Sequence, residues 1–389
     1  MPSVETEFDQ LQETLERGGV EAALDQLAEY LRGNKNYHEL FEALKMKARY
    51  ELGLPLTYQD AGDELDESTR TKLEDGLISA CRDVGTALLR EGAIREGWMY
   101  LRPVGDRAAA AVELEKIDAN EENLDALIEV ALHDGVDPKR GYALVLEHHG
   151  TCNAITTYES VVVRQSMAAQ QAAAGLLVEH VHRELLATVR ADIAQQQGSE
   201  PNEATLKELI ADRDWLFGEY SYHLDTTHLA STVRCSRLLE DEPQLRLALD
   251  LTAYGRRLSS QFQYKGDQPF EDIYPSHALY LAALLGEDVE AAIDYFRERA
   301  DTLDPHEHGG SPVEAYVQLL DRLGRYELAI EALLGFAQKQ PDAASQAMPL
   351  LLELSQKAAK FDKLTAYCRQ RGDVLGYATA ALCSAAARA

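Results

Sequence analysis

Polar and apolar positions recur along this chain in one repeated step: a glycine, an acidic residue, a small alanine and an aliphatic anchor. It appears as GVEAALD at residues 19–25, GEDVEAAID at residues 286–294 and GRYELAIE at residues 324–331. Weaker echoes fall at residues 92–98 (GAIREGW) and 360–365 (KFDKLT). The glycine predicts a left-handed cap that closes one helix, and the alanine lets the next helix pack closely against it. The anchors Ile293, Ile330 and Leu364 lie 37 and then 34 residues apart, a helix-pair period. A helix pair of this kind cannot bury its apolar face alone, so such units stack.

The best unit, PVEAYVQLLDRLGRYELAIEALLGFAQKQP at residues 312–341, resembles the tetratricopeptide-repeat family, with Pro341 twelve residues after Ala329 as is typical of that repeat. The resemblance covers about the last 110 residues and, with less of the motif, about the first 100. The other units lack the closing proline and most of the aromatic positions, so a generic helical-hairpin array fits them as well. What the resemblance implies is an α-solenoid that takes a protein partner on its concave surface; it implies no chemistry.

Between Asp137 and Gly266 the repeated step disappears and longer helices are expected, for example one from Ala154 to Gln197 with only Gly175 inside it. QQQGSEPN at residues 195–202 predicts a loop before a helix starting near Glu203. A second loop, YKGDQPFEDIYPSH at residues 264–277, is rich in turn formers and aromatics. The expected fold is all-α: an α-solenoid of helical hairpins flanking a central bundle of longer helices. The expected divisions are 1–136 for N-terminal hairpins, 137–266 for a histidine-rich centre and 267–389 for tetratricopeptide-like repeats.

Composition agrees with helix, and charge narrows the partners. Against 66 acidic residues stand 38 basic ones, a formal charge of −28, which makes nucleic acid and anionic membranes poor partners. The five cysteines are scattered without a C-x-x-C pair and are expected to be reduced and mostly buried. The acidic N-terminus lacks the features of a signal peptide, and no apolar run is long enough for a spanning helix, so a cytoplasmic location is expected.

Three polar groups carry candidate chemistry. In LEHHGTCNAITTYE, residues 146–159, Gly150 reads as a helix stop and Thr151 or Asn153 as the next cap. His148 and His149 then sit in a last turn, where the helix dipole favours cations; in the functional reading His149 is a metal ligand or a base near Glu159. In LVEHVHREL, residues 177–185, Glu179 and His182 share one helical face, as do His180 and Glu184. An inward Glu-x-x-His is the motif of di-metal carboxylate bundles, and on an exposed helix it is an ordinary polar pair.

The third group is FGEYSYHLDTTHLAS, residues 217–231. If residues 219–239 are helical, Asp225, His228 and Thr232 share a face, with Glu219 and His223 on another. Asp225 and His228 would then join Glu179 and His182 around zinc, iron or manganese, with an open position to activate water. Tyr222, Tyr220 or Arg234 would polarise a small-molecule substrate. Equally, the Asp and His are a hydrogen-bonded pair that fixes helix register.

Elsewhere DPHEHGGSP, residues 304–312, reads as an exposed linker, and His277 as a core or capping residue of an apolar helix. There is no phosphate loop, H-E-x-x-H, G-x-S-x-G or dinucleotide fingerprint. Two functions stand open: a metal-dependent hydrolase, lyase or oxidase in the central bundle, and a non-catalytic scaffold for protein–protein interaction.

Overall fold

The computed structural model describes residues 4–57, 65–340 and 344–386, and among them every regular element is a helix. Backbone contacts divide the chain into two compact units: residues 1–154 with 160–165, and residues 155–159 with 166–389.

The first unit runs through α1 (Val4–Gly33), α2 (Tyr37–Glu51), α3 (Glu67–Arg90), α4 (Ile94–Leu101), α5 (Arg107–Glu115), α6 (Leu124–Ile128) and most of α7 (Pro138–Ser160). α1 is two helices joined across Gly19 (φ 78°), and α7 is two joined across Gly150 (φ 79°), where the sequence predicts a stop. Leu31, Leu40, Ala43, Val84 and Leu88 form the core between α1, α2 and α3. α3 and α4 cross where Gly85 and Gly97 face each other, so that a Cβ on either would press on the other's carbonyl oxygen. Backbone approaches backbone there because neither residue has a side chain.

The second unit contains α8 (Met167–Gln197), α9 (Leu206–Ala211), α10 (Thr226–Cys235), α11 (Glu242–Gly255), α12 (Ile273–Leu284), α13 (Val289–Thr302) and α14 (Pro305–His308). α15 (Ser311–Arg322), α16 (Tyr326–Lys339), α17 (Ala344–Lys357), α18 (Asp362–Arg371) and α19 (Val374–Ala386) complete it. The single long helix expected over residues 154–197 is interrupted at residues 161–166, and Ser166 caps α8 by accepting from the Ala169 amide. The loop expected over residues 195–202 lies at residues 198–205, and the next helix starts at Leu206, not near Glu203, behind a Thr205–Glu208 capping box. DPHEHGGSP forms the single turn α14 and then runs straight into α15.

From α12 onward each helix packs chiefly against its sequence neighbours. The repeated step has the predicted local structure: Gly286 (φ 81°) and Gly324 (φ 69°) are left-handed between helices, and Ala292 and Ala329 are fully buried at the close approach. The anchors Ile293, Ile330 and Leu364 lie in one apolar core with Phe296 and Leu351. Cations of one hairpin pair with acids of the hairpin before it: Arg325 with Glu290 at 3.4 Å, then Lys360 with Glu327 and Lys363 with Glu331. These exposed pairs add about 0 to 1 kcal/mol each, so the packed alanines and anchors carry the stability. Pro341, on which the tetratricopeptide resemblance closes, lies outside the described residues.

Candidate functional site

Each candidate residue takes a separate hydrogen-bonding role. Asp225 is the N-cap of α10: its carboxylate accepts from the Thr227 amide (2.8 Å), the Thr227 hydroxyl (2.6 Å) and the His228 amide (3.3 Å). Those bonds, the Thr227 hydroxyl first, hold its carboxyl below the usual pKa. The helix therefore starts at Thr226, not Glu219, and the two-face geometry expected across residues 219–225 does not exist. A chain with Asp followed by Thr-Thr-His satisfies the orphan amides of a helix start before any ligand could claim the carboxylate.

Glu179 accepts from the Gln244 amide at 2.8 Å, and that same amide fills the space where Gly175 would carry a Cβ. His182 is buried, with Nε2 3.3 Å from Asp250. His149 is exposed in α7. Glu159 and Arg234 do meet, 3.9 Å apart, as an exposed ion pair in which Arg234 also donates to Ser231. Tyr222 is exposed, its ring edge-on to Phe262 at 5.1 Å. Among the described residues no group of three or more His, Cys, Asp or Glu side chains is arranged to hold a metal ion, so the expected four-residue meeting on zinc, iron or manganese has no counterpart in the geometry.

His223, expected on a separate helical face from Asp225 and His228, instead anchors a loop. Its amide donates to the Tyr254 hydroxyl at 2.9 Å, which orients that O–H toward His223 Nδ1, also 2.9 Å away. Nε2–H is then left to donate to Asp192 at 3.0 Å. Tyr254 is fully buried, and burial pushes its pKa up to about 12, so it stays a neutral donor. Each partner lies 31 residues from His223, a spacing with no local signature. Tyr254→Phe should cost about 2 kcal/mol by stranding the amide and Nδ1 together. Urea denaturation checks the cost, and faster amide exchange across residues 217–225 checks that the loop has lost its anchor.

The concavity that these elements frame lies on α11 and α12. It has a volume of about 840 Å³. α11 contributes Arg246, Leu247, Leu249, Asp250, Thr252 and Ala253, with Arg256 just past its end, and α12 contributes Pro275, Ala278, Leu279 and Ala282 at three- and four-residue spacing. Lys207 of α9, Glu287, Asp288 and Tyr295 also line the concavity. Arg246 is held by Glu242 (2.7 Å) and Glu287 (3.7 Å). Lys207 and Arg256 are exposed and have no carboxylate partner among the described residues. In a chain of −28 this groove is locally balanced, three cations against three acids.

Asp250 is in its wall, backed by the buried His182. Sequence reasoning found His182 but missed Asp250, because the two lie 68 residues apart on different helices. α11 by itself shows only a mixed face of Arg246, Leu249, Asp250 and Ala253, with Arg256 just beyond it.

No protein-family model, curated protein or solved structure matches the chain. Among the described residues no helix is long and apolar enough to cross a membrane.

Proposed function

We propose that this protein is a non-catalytic scaffold of helical hairpins that binds a short, acidic, amphipathic segment of a protein partner along α11 and α12. The observation that carries the reading is the groove itself, in which Leu249, Ala253, Pro275, Ala278 and Leu279 line one concavity with the exposed and uncommitted Lys207 and Arg256. Apolar anchors at helical spacing fit such a floor, and carboxylates of the same segment would meet those two cations. Arg246 of α11 and Arg256, the residue that caps the end of that helix, are ten residues apart, about 15 Å at helical rise, so the groove takes roughly two to three turns of a bound helix. The tetratricopeptide resemblance of the last hairpins supports the same class of function, a surface for protein segments.

A suitable probe is a fluorescent leucine–glutamate peptide of about 12 residues, with leucines at helical spacing. We expect saturable binding by anisotropy, weakened about tenfold or more in the Lys207→Glu/Arg256→Glu variant, and weakened by salt because both cations are exposed. A leucine–lysine peptide of the same pattern should bind the wild type less well. Equal binding of the acidic probe by both proteins, or none by either, would refute the reading.

A second reading rests on one observation, the His182–Asp250 pair at 3.3 Å in the groove wall. A carboxylate backed by imidazole is an arrangement that moves protons in a small-molecule site. On that reading His182→Ala abolishes turnover of a small substrate, whereas on the scaffold reading it leaves peptide affinity within about threefold.

A further inference from the structure

We infer that the protein self-associates through α19, pairing two-fold with the same helix of a second copy. Val374, Leu375 and Leu382 are 78%, 79% and 70% exposed, among the most exposed apolar side chains of the described residues. At 100° per residue they lie with Ala378 and Ala385 along one stripe of α19, while Gly376 and Ala380 are buried on the opposite side. The inner face is thus already used by the fold, and the outer face is apolar over the full length of the helix, about 20 Å.

Charge identifies the occupant. The chain carries −28, so two copies repel over most of their surfaces. Residues 374–386 contain no charged side chain at all. The neighbouring α18 brings Lys363, Arg369 and Arg371 against Asp362, which leaves the α18–α19 hairpin, with Asp373, at a net +1. Two copies can therefore meet along this stripe without setting carboxylate against carboxylate. A two-fold axis makes the contact self-complementary, with Leu375 of one copy beside Leu382 of the other and Ala378 near the axis.

The test is sedimentation of the full chain in reducing buffer at protein concentrations up to about 100 µM, at low salt and at about 0.5 M salt. The expected result is a monomer–dimer equilibrium that strengthens with salt, as repulsion between the acidic bodies is screened. Leu375→Glu and Leu382→Glu, both at exposed positions, should each shift it to monomer by at least tenfold, with helix content and thermal unfolding unchanged. Ala378→Cys, made with Cys152→Ser and Cys383→Ser, should form a disulfide-linked dimer on mild oxidation. A wild type that stays monomeric throughout, a dimer that survives both glutamate variants, an association that salt weakens, or a dimer that Ala378→Cys fails to cross-link would each overturn the proposal.

Discussion

Lowering the pH from about 7.5 to about 5 should destabilise the second unit by about 2 kcal/mol through His277 alone. This histidine is 1% exposed in α12, its Nδ1–H donating to the Ile273 carbonyl at 2.7 Å and its Nε2 without a partner. The ring stacks near Phe270, 4.4 Å between centroids, and the Arg237 guanidinium lies over the same Phe270. Burial first, and then Arg237, pull its pKa down from 6.5 to about 3. A base whose folded pKa is depressed binds its proton better in the unfolded chain, so stability is complete above pH 6.5 and is lost as the pH falls from there toward 3. His277→Leu keeps the volume close and removes the titration. The unfolding free energy from urea denaturation should fall between the two pH values by about 2 kcal/mol more in the wild type than in the variant. Parallel losses in the two proteins would mean that the imidazole is not held neutral.

Gly255→Ala should destabilise the same unit by about 3 kcal/mol or more, although in an exposed helix the same change stabilises by about 1 kcal/mol. Gly255 is the last residue of α11, and an added Cβ there would press into the ring of Tyr274. Tyr274 is 1% exposed in α12, so its ring has no solvent to turn into. The α11–α12 crossing that builds the groove therefore depends on the missing side chain. Combining Gly255→Ala with Tyr274→Leu should recover at least half of the loss, because the clash and not the helix is at fault. Thermal unfolding of the single and double variants reads this directly, and a Gly255→Ala protein as stable as the wild type would contradict the crossing geometry.

The parts of the fold legible in the sequence are those whose cause is local. Gly286 and Gly324 announce left-handed caps, Ala292 and Ala329 announce close packing, and the anchors Ile293, Ile330 and Leu364 do share one core. Gly150 likewise reads correctly as a stop. The candidate site was less legible, for two physical reasons. Asp225 is a residue type that serves equally as a cap and as a metal ligand, and the Thr-Thr-His amides that follow it decide in favour of the cap. The partners of Glu179, His182 and His223 come from α8 and α11 at separations of 65, 68 and 31 residues, which no helical period reports. The groove is a third case: its lining residues lie on α11 and α12 separately, and only the fold sets them side by side.

The central claim, that α11 and α12 receive a protein segment, is tested most directly by locating the bound segment. A leucine–glutamate peptide with one leucine replaced by photo-leucine would be bound to the full chain, irradiated and mapped by mass spectrometry. The account predicts adducts confined to the groove, on Leu249, Ala253, Ala278 or Leu279, and their loss in the Lys207→Glu/Arg256→Glu variant. Adducts on α19, on the first unit, or spread over the surface without regard to those two cations would contradict it.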